Sequence, residues 1–219
     1  MERPFFSIIV VSFNAAPYIR KTIESVLAQD FTDYEIVVKD AASTDGTLDE
    51  IPKDDRIRVY SEKDTGVYDG MNAAIEYATG KYLLFLNCGD YLPHEHVFSD
   101  VYKIAKDKDE GNTILYGDFT RRGVRFKPAS RLTPFYLYRT PLCHQTEFFG
   151  CGIFEKERYE TRFVILGDYN LTLKTFFAGY KYVYVPTVVA DYLGGGASES
   201  PKGIAMRRRE RAEILSIHF

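Results

Sequence analysis

An apolar run that ends in a polar turn is the feature of this chain that most constrains its fold. Residues 82–90 read YLLFLNCGD, and the four residues from Leu83 to Leu86 leave no polar face. A run of this length without alternation is typical of a strand buried on both sides, as in a parallel sheet. One carboxylate, Asp90, follows directly after a glycine. Because ligands of open α/β sheets bind beyond the carboxyl ends of strands, we predict a binding site at this turn.

The order of the elements before this run also favours a parallel sheet. Hydrophobic spacing predicts strand, helix, strand, strand, helix and strand within the first 90 residues. Such an order predicts right-handed crossovers and an α/β fold class. The predicted elements are a strand at Phe5–Val11, a helix entered at Pro17, strands at Tyr34–Val38 and Ile57–Tyr60, and a helix over Val67–Ala78 closed by Gly80.

The second part of the chain has a less regular pattern. We predict helices at Val97–Ala105 and Gly167–Phe177, and strands at Thr113–Tyr116, Val124–Phe126, Tyr182–Val185 and Thr187–Ala190. Prolines and scattered aromatic residues predict that Lys127–Phe154 is irregular. The glycines 194–196 are expected to begin a flexible tail that contains four arginines between Arg207 and Arg211. Those arginines suit either a solvated helix face or contact with anionic lipid at a membrane surface.

Composition narrows the class of protein. The net charge of −3 argues against a dedicated nucleic-acid binder, which should carry a basic excess. Three cysteines without a CxxC pair favour a reducing compartment, and hence a cytoplasmic location. The amino terminus, MERPFFSIIVV, is better explained as a first strand than as a signal peptide. No apolar segment approaches the roughly 20 residues that span a bilayer.

Polar residues at predicted strand ends are the candidates for nucleotide binding. Asp40, at the end of the second strand, could accept a hydrogen bond from a base N–H or a ribose hydroxyl, or could only form a turn. Ser12 and Asn14 end the first strand and could line the same pocket, although Asn14 could equally cap the next helix. Asp64 precedes Thr65-Gly66 in a loop at the same edge of the sheet.

Three further positions could carry metal binding or catalysis. Asp90 is the best metal-ligand candidate, and with Asn87 in place of a second acid it suits Mg²⁺ or Mn²⁺ that is also held by phosphate oxygens. Asp168 opens a helix, where it is either a capping residue or, if the fold brings it beside Asp90, a general base. His144 and Gln145 lie in PLCHQTEFF, which could be a substrate-facing loop or could contain a structural histidine.

Taken together, these motifs resemble a known family. The segments SIIVVSFNAAPYIRKTIESVLAQDFTDYEIVVKDAASTDGT and EKDTGVYDGMNAAIEYATGKYLLFLNCGD closely resemble the family 2 glycosyltransferases with a GT-A fold, and HQTEFF, LGDYNLTLK and GGGAS resemble them more loosely. Within the family, the chain is most similar to bacterial enzymes that build capsule, colanic-acid-like exopolysaccharide or O-antigen. The resemblance implies a Rossmann-like, mostly parallel central sheet flanked by helices. It also implies one catalytic domain over residues 1–196, with a nucleotide-sugar half (1–90) and an acceptor half (91–196). A tail, helical or not, follows at 197–219.

The resemblance also implies an activity and roles for residues. The activity is an inverting, metal-dependent transfer of a sugar from a nucleotide-diphosphate donor, with UDP-sugars favoured, to a hydroxyl of a lipid-linked or glycan acceptor at the inner face of the plasma membrane. The implied donor-pocket residues are Ser12, Asn14, Asp40 and Asp64. Asn87 and Asp90 occupy the D-x-D position and would bind the diphosphate with Mn²⁺ or Mg²⁺, and Asp191 is the nearest match to a late metal ligand. Asp168 matches the general base, and His144 and Gln145 would face the acceptor.

Three other functions are alternatives to this one. A dinucleotide-dependent dehydrogenase should carry GxGxxG after the first strand, and this chain does not. A sugar-phosphate nucleotidyltransferase should carry a glycine-rich basic loop after Val11, which is also missing. A catalytically silent nucleotide-sugar-binding protein on the same fold is the third alternative, and Asn87 is the residue that favours it.

Overall fold

One sheet forms the centre of the fold, and it has eight strands within the described residues. The structure is a computed structural model that describes residues 3–219. The strands are β1 (Phe6–Ser12), β2 (Tyr34–Asp40), β3 (Ile57–Ser61), β4 (Tyr82–Phe85), β5 (Thr113–Arg121), β6 (Val124–Phe126), β7 (Glu147–Gly150) and β8 (Lys181–Asp191). The helices are α1 (Ala16–Leu27), α2 (Val67–Ile75), α3 (Val97–Ala105), α4 (Pro134–Arg139), α5 (Gly167–Phe177) and α6 (Pro201–His218). The strand order is β3-β2-β1-β4-β7-β5-β6, with β8 paired to β5.

The first half of the sheet is parallel, as predicted. Strands β3, β2, β1 and β4 run in the same direction, and their register places Ser12 opposite Asp40 and Asp40 opposite Ser61. Three polar residues therefore end neighbouring strands at one edge. The loop after β4 opens at the same edge because β4 is parallel to β1. This arrangement confirms the predicted α/β fold class, in which ligands bind at the carboxyl ends of strands.

The second half contains a strand that the sequence pattern did not reveal. Strand β7 lies antiparallel between β4 and β5, with Phe148 opposite both Leu84 and Leu115. The prediction that residues 127–154 are irregular is therefore wrong for β7 and also for α4. The strand has only four residues and begins with a buried glutamate, Glu147, so that it lacks an apolar run long enough to be recognised.

The sheet separates two apolar layers because successive side chains of a strand point to opposite faces. On β1, Ile8 and Val10 face the layer formed by α1 and α3, whereas Ile9 faces the layer formed with α2. A third cluster lies under α4, α5 and α6 and includes Tyr169 and Ile214. The carboxyl edge of the sheet thus stands on a core that is packed from both sides.

Helix α2 ends earlier than predicted, and Gly80 has a different purpose. The helix ends at Ile75 rather than Ala78, and Gly80 does not adopt the left-handed conformation of a helix-capping glycine. A Cβ atom at Gly80 would lie 2.6 Å from the backbone nitrogen of Ser7. Glycine is therefore required here because the chain passes very close to β1.

The carboxyl-terminal segment is an ordered helix, so the prediction of a flexible tail is wrong. Helix α6 begins at the N-cap Ser200, whose hydroxyl accepts a hydrogen bond from the backbone N–H of Gly203 at 3.0 Å. Its Ile214 is buried in the third cluster. The two short strands predicted over 182–190 are parts of one long strand, β8, whose register against β5 is interrupted near Asp118. None of the helices within residues 3–219 has both the length and the apolar character needed to cross a membrane.

Candidate active site

The buried carboxylate of Asp40 lies among serine hydroxyl groups at the ends of β1, β2 and β3. The Ser12 hydroxyl donates to its Oδ1 at 2.9 Å, and the Ser61 hydroxyl and the Ser43 backbone N–H each donate to its Oδ2 at 2.8 Å. The Ser43 hydroxyl is a fourth donor. Burial acts to raise the pKa of Asp40, but the hydrogen bonds from the serines outweigh it and hold the pKa below its ordinary value. Asp40 is therefore ionised at neutral pH, and a ligand N–H would bind it by replacing a serine hydroxyl.

Asn14 holds the loop that follows β2. Its backbone adopts the left-handed conformation, with φ of 48°, which asparagine tolerates better than most residues. Its side-chain oxygen accepts from the backbone N–H of Thr44 at 3.0 Å, and its own N–H donates to the Ser43 hydroxyl at 2.8 Å. The alternative role as a cap of α1 is taken by Asp45, which accepts from the N–H of Ala16 at 3.1 Å. Asn14 thus fixes the serine loop around Asp40.

Asp64 is paired with a buried lysine. Lys39 follows the alternation of β2 to the face opposite Asp40, and its Nζ lies 3.7 Å from Oδ2 of Asp64. The same Nζ donates to the backbone oxygen of Glu62 at 2.6 Å, and Oδ1 of Asp64 accepts from the Gly66 N–H at 3.1 Å. The structure thus places Asp64 against Lys39, whose Nζ also donates to the backbone oxygen of Asp40 at 3.1 Å.

The loop after β4 presents the carboxylate of Asp90. This residue is only 4% exposed, and burial raises its pKa, while hydrogen bonds from Leu193 and Gln145 act in the opposite direction. The side-chain amide of Gln145 donates to Oδ2 at 2.7 Å, and the Leu193 backbone N–H donates to Oδ1 at 2.9 Å. Each carboxylate oxygen therefore has one partner and retains a lone pair for a ligand.

A chain of polar contacts connects this loop to helix α5. The side-chain nitrogen of Asn87 lies 3.1 Å from Nε2 of His144, and Nδ1 of His144 lies 2.9 Å from Oδ2 of Asp168. The side chains of His144 and Asp168 are 12% and 20% exposed, so solvent reaches both only partly. One imidazole ring thus spans the gap between the end of β4 and the start of α5.

Asp168 is the second residue of α5 and is held by further donors. Its Oδ1 accepts from the backbone N–H of Tyr169 at 2.8 Å and from the hydroxyl of Tyr68 at 3.1 Å. A carboxylate in the first turn of a helix is also stabilised by the helix dipole. The single hydroxyl hydrogen of Tyr68 is shared with the backbone oxygen of Ile165, which lies 2.9 Å away. The N–H of Tyr169 and the imidazole of His144 therefore orient the carboxylate, and at least one lone-pair direction is left for a further group.

The two aspartates that the sequence singled out are brought together by consecutive residues. Gln145 bonds Asp90, and its neighbour His144 contacts Asp168. Asp90 and Asp168 are 78 positions apart in the sequence, yet both approach the same short turn, 144–146. Both aspartates therefore contact one short turn, and the role of Asp168 as a base stays a prediction.

Few side chains at this edge of the sheet could bind a divalent cation. Within residues 3–219 there is no group of three His, Cys, Asp or Glu side chains that could hold a metal ion by itself. Asp191 is near enough for its charge to contribute to the raised pKa of Asp90, but its Oδ2 already accepts from the Thr120 hydroxyl at 2.7 Å. Oδ1 of Asn87 is buried and has no hydrogen-bond partner in the described part of the chain. That oxygen and the Asp90 carboxylate fit a cation that takes its remaining ligands from a bound diphosphate.

Sequence reasoning missed two residues that surround Asp168. One is Tyr68 in α2, whose hydroxyl contacts Asp168 at the start of α5. The sequence does not show that these two helices pack together. The other is Glu147, which is fully buried and has Thr172 as a hydroxyl donor at 3.2 Å. Burial, with a smaller contribution from the charge of Asp168, raises the pKa of Glu147 well above its usual range. A buried glutamate leaves no periodic signal in a sequence, and here only its two phenylalanine neighbours hinted at burial.

Several known proteins are similar to this chain in sequence. The model of the Glycosyl transferase family 2 matches residues 7–161. The PGL/p-HBAD biosynthesis glycosyltransferase of Mycobacterium tuberculosis is 31% identical over 204 residues, which are 88% of this chain and 78% of that protein. The putative teichuronic acid biosynthesis glycosyltransferase TuaG of Bacillus subtilis is 40% identical over 93 residues, covering 40% of this chain and 37% of TuaG.

Solved structures with the same fold are also known. S. aureus TarS 1–349 superposes with a TM-score of 0.73 at 19% identity, over 96% of this chain and 65% of that one. The mannosyltransferase PcManGT of Pyrobaculum calidifontis, solved with GDP-Man and Mn²⁺, superposes with a TM-score of 0.70 at 23% identity, over 99% of this chain and 63% of that one. This chain thus spans slightly less than two thirds of either solved chain.

The family match covers more than half of the chain, and the mycobacterial relative is similar over most of both proteins. The relatives support the bacterial polysaccharide type of the family, and they do not support the finer likeness to colanic-acid enzymes. By its sequence and by the fold of its sheet, this chain belongs to glycosyl transferase family 2 and is a glycosyltransferase.

Proposed function

We propose that the protein transfers a sugar, with inversion, from a nucleotide-diphosphate donor to an acceptor hydroxyl in the synthesis of a bacterial cell-surface glycan. The observation that carries this proposal is the approach of Asp90 and Asp168 to the consecutive residues Gln145 and His144. A single displacement needs charge relief at the departing diphosphate and a base at the incoming hydroxyl. One carboxylate on each side of one cleft meets both needs without a protein nucleophile.

The donor base would occupy the pocket of Asp40. An ionised carboxylate accepts the N3–H of uracil or the N1–H of guanine, and the surrounding serines supply donors for the base and ribose oxygens. Ser12, Asn14 and Asp64 would line or support this pocket. We favour a UDP-sugar because TarS has been solved with UDP and with UDP-GlcNAc. A GDP-sugar is the alternative donor, since PcManGT was solved with GDP-Man.

The diphosphate would lie against the loop after β4. Asp90 and the free Oδ1 of Asn87 would hold Mn²⁺ or Mg²⁺, with Asp191 behind them. A divalent ion bound there neutralises negative charge on the leaving diphosphate. Because Asn87 contributes no charge, we expect the chain to bind the ion weakly until the donor adds its own oxygens.

The acceptor hydroxyl would meet Asp168. Its remaining lone pair is available to take the hydroxyl proton as the new glycosidic bond forms. Its hydrogen bonds hold the carboxylate in a fixed orientation. General base catalysis of this kind typically contributes about 10²–10⁴-fold in rate. Gln145 would orient Asp90 beside the same cleft, so that both carboxylates stay fixed relative to the sugar.

Donor binding provides the direct test of this function. Wild-type protein is heated with UDP or GDP, each with and without Mn²⁺, because a ligand that binds only the folded state stabilises it by about 2.7 kcal/mol at 100 times its Kd. We expect one nucleotide to raise the unfolding midpoint, and Mn²⁺ to enlarge the shift. Turnover is then measured as release of nucleoside diphosphate from the corresponding nucleotide sugars.

The variant Asp90→Ala should lose the part of this shift that depends on Mn²⁺, because the strongest anionic ligand of the loop is removed. Asp107→Ala, which removes an exposed aspartate, is the matched control and should respond like the wild type. An undiminished Mn²⁺ response in Asp90→Ala would mean that the cation binds elsewhere. If neither nucleotide shifts the midpoint of the wild type, the proposed donor class is wrong.

A lipid-linked or glycan acceptor would place the protein at the cytoplasmic face of the plasma membrane. Arg207, Arg208 and Arg209 are exposed on α6, and basic residues near an anionic surface contribute about 1 kcal/mol each. Replacing the three by glutamine should therefore weaken binding to vesicles that contain phosphatidylglycerol by roughly 100-fold. Glutamine at the exposed lysines of α3 and its end, Lys103, Lys106 and Lys108, makes the same charge change as a control. If both triple variants lose the same vesicle affinity, the binding depends on the overall charge of the protein and not on a specific contact through α6.

A further inference from the structure

We propose that His144 is a positioning residue that couples the donor loop to the base by holding Asn87 and Asp168 at the same time. The proposal rests on the proposed function, since it assigns a purpose to a contact between the two sides of that cleft. It also gives His144 a role different from the acceptor contact predicted from sequence.

The hydrogen-bond chemistry determines which ring nitrogen carries the proton. An ionised carboxylate can only accept, so Nδ1 of His144 must donate to Oδ2 of Asp168. In a neutral imidazole, Nε2 is then an acceptor, and the side-chain amide of Asn87 donates to it. Both nitrogens are thereby used within the protein. An acceptor sugar could bond the ring only by breaking one of the two contacts.

The same logic explains why residue 87 is an amide rather than an acid. A carboxylate at position 87 could not donate to Nε2, so the ring would need a second proton to bridge two carboxylates. Asparagine allows a neutral ring to make both bonds, and it leaves Oδ1, on the other branch of the amide, unpaired and buried within the described residues. The departure from the D-x-D pattern is therefore matched to His144.

The ring is also mounted on a rigid support. His144 begins the short turn 144–146, in which the Thr146 hydroxyl donates to the Cys143 backbone oxygen at 2.8 Å. Gln145 ties the same turn to Asp90 at 2.7 Å. The imidazole is 12% exposed, so water competes weakly for its hydrogen bonds. A shift of the donor loop is thus transmitted to the carboxylate of Asp168 through a single, largely buried ring.

Two isosteric replacements separate the two contacts. In His144→Asn, the side-chain nitrogen occupies nearly the place of Nδ1 and can still donate to Asp168. In His144→Gln, the amide reaches nearly to the place of Nε2 and can still meet Asn87. His144→Ala removes both. Donor affinity is measured by titration with UDP or GDP, and kcat as release of nucleoside diphosphate from the nucleotide sugar that the wild type turns over fastest.

We expect kcat of His144→Ala to fall about 100-fold, the usual effect of a misplaced catalytic group. His144→Asn should recover most of kcat but bind the nucleotide more weakly, whereas His144→Gln should bind it normally and remain slow. A histidine that only stabilised the fold would not produce this split between kcat and Kd. His96→Ala, which removes an exposed histidine paired with Asp30, is the control and should match the wild type in both measurements.

The coupling is refuted if the asparagine and glutamine variants change kcat and Kd in the same proportion, or if His144→Ala leaves both unchanged. These outcomes are read against an active wild type. A wild type that neither binds nor turns over nucleotide sugars would instead refute the proposed function itself, so that the two failures are distinguishable.

Discussion

The variant Asp168→Asn is expected to lose roughly 10²–10⁴-fold in kcat while its affinity for the nucleotide stays close to that of the wild type. Asparagine has nearly the same shape as aspartate but cannot take a proton from the acceptor hydroxyl. Its oxygen can still accept from Nδ1–H of His144, and its amide nitrogen can donate to the Tyr68 hydroxyl, whose own hydrogen then bonds the backbone oxygen of Ile165, so the start of α5 should remain in place. Release of nucleoside diphosphate measures kcat, and titration with the nucleotide measures affinity.

The control for this variant is Asp107→Asn, the same chemical change at an exposed position. It should leave both quantities within experimental scatter of the wild type. Turnover by Asp168→Asn within a few-fold of the wild type would remove the base assignment. A joint loss of turnover and nucleotide affinity would show that Asp168 holds the cleft together instead of acting on the acceptor.

The donor half of the site was accessible from sequence because its residues terminate long apolar runs. Asp40 and Asp90 each follow a predicted strand, and the run before Asp90 has no polar face, as expected of a buried parallel strand. In a parallel sheet such ends meet at one edge, so the position of each carboxylate follows from local pattern alone. The structure places Ser12 and Asp40 as neighbours in register, and it adds Ser61, which the sequence did not indicate, beside Asp40.

The acceptor half could not be derived in the same way because its geometry depends on contacts between distant segments. Strand β7 is too short and too polar at its start to be recognised, yet it is the element that leads from His144 into the sheet. The proximity of Asp168 to His144 depends on the packing of α5, and nothing in the spacing of the two residues indicates it. Sequence reasoning could therefore state only the condition for Asp168 to act, namely its approach to Asp90.

Helix α6 is the clearest case of a long-range contact hidden by local composition. The segment RRRERAE has the composition of a solvated charged face, and nothing in that composition distinguishes Glu210 from its exposed neighbours. Glu210 is 7% exposed, and its carboxylate accepts hydrogen bonds from the backbone N–H groups of Val164, Ile165 and Leu166 at 2.8, 3.0 and 2.8 Å. Leu166 is the N-cap of α5, so these N–H groups have no partner within that helix.

Replacing Glu210 by alanine should therefore both destabilise the fold and slow the reaction. The change leaves three backbone donors unpaired, and since a buried unpaired group costs about 1–3 kcal/mol and this segment can admit some water, we expect a loss of about 3 kcal/mol in the free energy of unfolding. For a chain of this size, that corresponds to a fall of roughly 6–12 °C in Tm. Asp168 follows the released segment by two residues, so kcat should also fall even at temperatures where the variant is folded.

The matched control lies one turn further along the same helix. Glu213 is about half exposed and pairs with Arg162 at the surface, so Glu213→Ala should change the free energy of unfolding by less than about 1 kcal/mol. Thermal unfolding and nucleoside-diphosphate release are measured for both variants beside the wild type. If Glu210→Ala unfolds at the same temperature as Glu213→Ala and keeps its kcat, the carboxyl-terminal helix does not hold the start of α5. If only Glu210→Ala loses both stability and turnover, residues far beyond the family match at 7–161 help to set the position of the base.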